Sequence, residues 1–254
     1  MKTIFQRTEI TEPPLFTALD TTKKIEDFPE ICVSTFSENI IQKFASLDGI
    51  EKIAELHTAN GAAPVYKIRY KDIDMAFYLS RVGAPACVVG FEEVVAMGAK
   101  KFVLFGSCGV LDDEKVKDKI IIPTSAVRDE GTSYHYIAPS AEISADKNSV
   151  RILEDVIKSC GYQYIKGKTW TSDAIYRETI PVINERRQEG CIAADMECAA
   201  MLAVAQYRKI PFIQFLYGAD DLSSDKWDIR DLALHGLTNA ETYMLLAFEC
   251  GLAM

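Results

Sequence analysis

With 254 residues, 48% hydrophobic and 26% charged, the chain can bury a real core, and its composition is that of a folded domain rather than a disordered or fibrous one. A net charge of −9 and a pI near 5.0, with Lys and Arg scattered rather than striped, argue against a nucleic-acid surface held by phosphate contacts. Seven cysteines (Cys32, Cys87, Cys108, Cys160, Cys191, Cys198 and Cys250) stand singly without ligand spacing, no run reaches membrane-spanning length and the N-terminus lacks the apolar core of a secretory signal, which points to a reducing cytoplasm, no disulfide framework, no metal and no membrane.

Residues 1–28 are polar, carry Pro13-Pro14 and read as an irregular arm lying on the body or on a neighbouring subunit; the whole chain, 1–254, reads as one domain. Ile31 to Phe36 is a short apolar strand, and Glu38 to Leu47 has helical spacing. Residues 64–70 and 74–80 form a hairpin about Lys71-Asp72, and the second run continues into Arg81-Val82-Gly83-Ala84-Pro85. Cys87 to Met97 reads as a helix capped by Gly98, and Lys101 to Phe105 as a central strand closed by a Gly106-Ser107-Cys108-Gly109 turn. A strand over 119–123 then precedes a polar and aromatic excursion from Ser125 to Tyr136. A helix over 149–159, a strand over 162–171, the loop Trp170 to Glu178 and a helix near 181–189 lead to a short strand into Asp195. The Ala-rich helix to Tyr207, a strand over 211–217 ending in Gly218-Ala219-Asp220-Asp221, and a helix over about 237–252 complete the chain. Strands alternating with helices predict an α/β fold with a mixed, mostly parallel, twisted sheet flanked by helices.

In such a sheet ligands bind beyond the carboxyl ends of the strands, which is where each polar or Gly-rich motif falls. Asp195 and Glu197 stand at the head of an otherwise apolar helix, and two readings are open for them: first-turn acids that satisfy free N–H groups, or carboxylates that accept hydrogen bonds from a polyol. Gly106 and Gly109 free backbone N–H groups while Ser107 adds a hydroxyl, a combination suited to an anion. Ser107 has no His and Asp at triad spacing, and His57, His135 and His235 show no metal spacing.

Asp195-Met196-Glu197-Cys198-Ala199-Ala200 resembles the Glu-Met-Glu-Ala-Ala signature of the nucleoside phosphorylase and nucleosidase superfamily, the family of purine nucleoside phosphorylases and uridine phosphorylases. Gly106 to Gly109, the Gly83-Ala84-Pro85 segment and Asp220 after a late strand match three further landmarks in order. The resemblance implies a nucleoside phosphorylase-like fold and a pentosyltransferase that cleaves a nucleoside with phosphate. Glu197 would hold the ribose hydroxyls, Met196 would pack under the sugar and Asp195 would border the pocket. Tyr176, Cys108, Gly109 and Arg177 would line the base site, and Asp220 would protonate a purine N7. Purine is favoured over uridine, because Arg177-Glu178-Thr179 does not reproduce the Gln and Arg that read a pyrimidine in the uridine-cleaving members.

The family's phosphate arginines are absent. Ser34 to Glu38 replaces one, Leu104 another, and no arginine stands near His57, the third place. Ser107, Gly83 and Arg81 remain as the phosphate set. If Arg81 does not supply the charge, a nucleosidase using water, or a catalytically weak nucleoside-binding protein, becomes the alternative. The resemblance also implies a homo-oligomer, dimer or hexamer, and no metal or organic cofactor. Arg128 to His135 resembles a uridine phosphorylase segment, with His135 a possible partner for the ribose 5′-hydroxyl.

Overall fold

Side-chain alternation along the central strands decides which layer each residue enters. The computed structural model describes residues 3–6, 12–59, 61–230, 232 and 240–254. In chain order the elements are α1 (Ala18–Thr21), β1 (Ile31–Thr35), α2 (Glu38–Ala45), β2 (Glu51–Thr58), β3 (Gly61–Tyr70), β4 (Ile73–Leu79), α3 (Ala84–Met97), β5 (Lys101–Val110) and α4 (Asp113–Val116). There follow β6 (Ile120–Asp129), β7 (Glu142–Ser144), α5 (Lys147–Ser159), β8 (Tyr164–Ser172), α6 (Ile180–Gln188), β9 (Cys191–Asp195), α7 (Cys198–Arg208), β10 (Phe212–Asp221) and α8 (Ala240–Ala253).

On β5, Phe102 and Leu104 face one layer, where they pack with Phe91 and Val94 of α3 and Met201 and Val204 of α7. Val103 and Phe105 face the other, against Ile40 and Phe44 of α2, Leu153 of α5 and Phe248 of α8. Both faces of the strand are therefore apolar, which is why the sequence shows an unbroken run there rather than an alternation. The β3–β4 hairpin closes on Lys71 and Asp72, both with φ in the left-handed region (46° and 65°), the conformation of a tight two-residue turn.

The sheet is mixed and runs β10-β6-β8-β9-β5-β1-β4-β3-β2, and β10 also pairs with β5. That extra pairing closes β5, β10, β6, β8 and β9 into a ring whose interior is filled by Cys108, Val110, Ile121, Ile192, Ala193 and Leu216. Closure corrects three expected boundaries. β5 runs straight through Gly106-Ser107-Cys108-Gly109, which is strand and not turn, because β10 pairs with it as far as Val110. β6 continues to Asp129 beside β8, and β10 to Asp221. β2, absent from the expected elements, is a charged edge strand that pairs with β3, with Lys67 bridging to Glu51 at 2.8 Å. The final helix is described from Ala240, and His235 lies outside the described residues. Of the arm, Phe5 packs edge-on to Tyr134 at 4.8 Å and the Ile25 N–H donates to the Met97 carbonyl at 3.0 Å.

Candidate active site

Three strand ends and two helix starts meet at one cavity. Gly109 of β5 pairs with Asp220 of β10 on one side and with Ala194 of β9 on the other, and Asp195 pairs with Thr171 of β8. The register thus brings Asp195 and Asp220 to the two flanks of one glycine. The cavity, about 300 Å³, is walled by these residues with Phe36, Ser37, Val82, Ser107, Cys108, Ile175, Glu178, Met196, Glu197, Tyr217, Leu222 and Leu232.

The two glycines of β5 matter here for space rather than for a turn. A Cβ at Gly106 would lie 2.6 Å from the Phe36 ring, and one at Gly109 would lie 2.7 Å from Leu222. Both positions let side chains from remote loops close the cavity against bare backbone.

Asp195 and Glu197 satisfy N–H groups at two different helix starts. Asp195 Oδ1 accepts from the N–H groups of Glu197 (2.9 Å) and Cys198 (2.7 Å) and from the Thr171 hydroxyl (3.0 Å), so it caps the entry to α7. Its Oδ2 is buried without a partner, and burial raises its pKa. Glu197 instead turns its carboxylate to the start of α3, where the Gly83 N–H donates to Oε1 at 2.6 Å. Gly83 has φ +97°, a conformation that an L side chain would strain. Glu197 is only 6% exposed; burial pushes its pKa up to about 8, with the Gly83 bond opposing and the Asp195 charge adding. Met196 stands between the two acids on the cavity wall.

At the other flank the Asp220 pKa is also raised, mainly by burial, against the indole N–H of Trp227, which donates to Oδ2 at 2.7 Å. Glu178 is pushed to about 7 by burial and then by the charges of Asp220 and Asp195. Cys108 donates its thiol to the Tyr217 carbonyl at 3.4 Å, and burial holds that thiol protonated. Ser37 precedes α2 with a buried hydroxyl that has no partner, and Ser107 lies across the same cavity.

Several expected site residues stand elsewhere. The turn Ile175–Arg177 puts Ile175 and Glu178 on the cavity wall and leaves Tyr176 outside it, 94% exposed; Arg177 does not line the cavity either. Arg81 donates to the Gly61 carbonyl at 2.7 Å, away from the cavity, and Gly83 has its N–H on Glu197. Among the described residues no Lys or Arg lines the cavity. Arg128 is a structural pin: buried, it donates to Ser133 Oγ, the Ala138 carbonyl and Ser140 Oγ within 2.9 Å and lies 4.1 Å over the Tyr134 ring. Sequence reasoning missed Phe36, Ser37, Ile175, Glu178 and Leu222. Only Ser37 carried a local signal, as a serine just before an amphipathic helix.

A mixed α/β sheet between two helical layers, with an acid-lined cavity at its strand ends, is the architecture of enzymes that act on small molecules at a sheet edge. Residues 30–244 match the Phosphorylase superfamily, and the chain belongs to that family. It is 23% identical to the guanosine phosphorylase of Halorubrum lacusprofundi over 181 residues, 71% of this chain and 73% of that protein. In structure it is similar to a uridine phosphorylase from Vibrio fischeri ES114, with a TM-score of 0.74, 19% identity and coverage of 92% of this chain and 97% of the other. It is also similar to an AMP nucleosidase from Bacteroides thetaiotaomicron, with a TM-score of 0.70, 19% identity and coverage of 89% and 88%.

Proposed function

We propose that this chain cleaves the N-glycosidic bond of a nucleoside, a purine nucleoside by preference, with phosphate as the acceptor of the ribosyl group. The observation that carries the reading is the meeting, in one cavity, of a buried carboxyl, Glu197, and a separate acid, Asp220, whose pKa burial raises. Cleavage puts positive charge on the sugar and negative charge on the base. Glu197 accepts from the ribose hydroxyls, Met196 packs against the sugar, and Asp220 gives a proton to N7 as the C1′–N9 electron pair moves onto the base. Phosphate oxygen then forms the new bond to C1′. Support for phosphate comes from the relative named for guanosine phosphorolysis and from two neutral donors. Ser37, at the N-terminus of α2, and Ser107 line the cavity where the family's arginines are missing. The exposed Leu15, Phe16 and Leu19 of the arm support the further reading that a second copy covers it in a homo-oligomer.

One observation favours a second reading, hydrolysis. Four acids, Glu178, Asp195, Glu197 and Asp220, line the cavity with no cation among the described residues, and those that ionise repel phosphate but not water. Base release from inosine, guanosine, adenosine and uridine in phosphate-free buffer, with and without added phosphate, separates the two. Release only with phosphate supports phosphorolysis. Equal release without it makes the protein a nucleosidase.

Asp220→Asn keeps the shape but cannot transfer a proton. Purine kcat is expected to fall roughly 100-fold, the lower end of general acid catalysis, while uridine, which has no N7, changes little. Steady-state kinetics on both nucleosides checks this, and equal losses would rule out a proton to N7.

A further inference from the structure

We propose that Trp227 is a positioning residue for bond cleavage: its indole N–H holds Asp220 by Oδ2, so that the proton reaches the base from Oδ1. The inference rests on the reading of Asp220 as the acid.

The Trp227 Nε1–Asp220 Oδ2 bond, 2.7 Å, is made from a loop that has little freedom. Asp221 and Asp228 exchange two backbone hydrogen bonds, at 2.8 and 3.1 Å, and close the loop at its neck. Arg230 then ties it down at both sides, with 2.6 Å to Asp221 Oδ2 and 3.0 Å to Asp113 Oδ1 at α4. Trp227 does not line the cavity, and the residue is 58% exposed. Burial of an apolar ring therefore gives no reason for its place, whereas the bond to Asp220 does. On the Oδ1 side stands the bare backbone of Gly109, where a Cβ would sit 3.5 Å from Oδ1 and 2.7 Å from Leu222.

The chemistry follows from the donor inventory. An indole N–H only donates, so a proton on Oδ2 would face another donor; in the acid form the proton is on Oδ1. A base nitrogen arriving in the cavity meets that O–H. As the C1′–N9 bond breaks and its electron pair moves onto the base, the proton passes from Oδ1 to N7. The carboxylate left behind keeps its Trp227 bond, which strengthens as charge develops on Asp220, and it regains a proton from solvent before the next turnover. Trp227 thereby fixes which oxygen is the acid and stabilises the charge left after transfer. The titratable and charged groups that face Asp220 are Glu178 across the cavity, the Cys108 thiol of β5, and Asp221 and Arg230 on its own strand and loop, with Trp227 as its donor.

Trp227→Phe keeps an aromatic ring without the donor. With inosine or guanosine, kcat is expected to fall roughly 10- to 100-fold, the size of one hydrogen bond to a charged group. Activity needs protonated Asp220, so it declines as pH rises through that group's pKa. The Trp227 bond lowers this pKa, and losing the bond moves the declining limb to higher pH. Uridine turnover is expected to hold. In an Asp220→Asn background the same Trp227→Phe change is expected to have no further effect on purine kcat, because the two residues act as one unit. An unmoved limb, or equal loss in wild-type and Asp220→Asn backgrounds, overturns the role of Trp227 while leaving Asp220 as the acid. An Asp220→Asn enzyme with wild-type purine turnover removes the underlying reading, and the inference with it.

Discussion

Glu197→Ala is expected to lose roughly 2–4 kcal/mol of transition-state stabilisation, about 30- to 1,000-fold in kcat/KM for any nucleoside the protein accepts. On the proposed reading, the size follows from removing a carboxylate that accepts from sugar hydroxyls at a residue only 6% exposed. The direction with pH is fixed by the same burial. In the free protein Glu197 titrates near 8 instead of 4.5, so at neutral pH it is mostly protonated. On the proposed reading the ionised form accepts from both ribose hydroxyls, and nucleoside binding is therefore expected to strengthen as pH rises from 6 toward 9. Stability runs the other way. A raised folded-state pKa favours the folded state fully below the ordinary value of 4.5, and that contribution is lost as pH rises through about 8. Glu197→Gln is expected to flatten this decline in Tm while still losing activity, which separates a site role from a folding role. Near-normal kcat/KM in the alanine variant would take Glu197 out of the sugar site.

Asp195→Ala is expected to act on folding first. It strips the acceptor from the Glu197 and Cys198 N–H groups and from the Thr171 hydroxyl, all buried. Loss of a helix cap together with unpaired buried donors costs about 3 kcal/mol, roughly 6–12 °C in Tm for a chain of this size. Asp195→Asn keeps an acceptor at Oδ1 and removes a charge beside Glu197 and Glu178. Much of the Tm is expected to return, and the Glu178 and Glu197 carboxyls, whose pKa values Asp195 helps to raise, are expected to titrate lower. Thermal melts and the pH dependence of activity read both effects. A wild-type Tm for the alanine variant would mean that water or a neighbour replaces the cap.

The same acid was legible in sequence in two ways, as a helix-start acid and as a sugar acceptor, and local pattern could not choose. Only the side-chain directions do: Asp195 turns back onto the α7 entry, while Glu197, two residues on, reaches the start of α3, 114 residues earlier in the chain. Arg81 illustrates the converse. Its charge and its place before Gly83 suited a phosphate, but the carbonyl of Gly61, from the far end of β3, takes its guanidinium. Tyr176, expected in the base site, stands outside the cavity while Glu178 lines it, since a single turn over Ile175–Arg177 decides which of them faces inward.

By itself the sequence determined most of the strands and helices in order, though not β2, together with the unbroken apolar run of β5, the Lys71-Asp72 turn and the motifs that gather at strand ends. These follow from spacing, composition and backbone preference within a few residues. Tertiary structure alone decided that β10 returns to β5 and closes the ring, that Gly106 and Gly109 stay in a strand beneath Phe36 and Leu222, and that four acids share one cavity. Those outcomes depend on pairings between segments about a hundred residues apart and on the burial they create, which no local periodicity encodes.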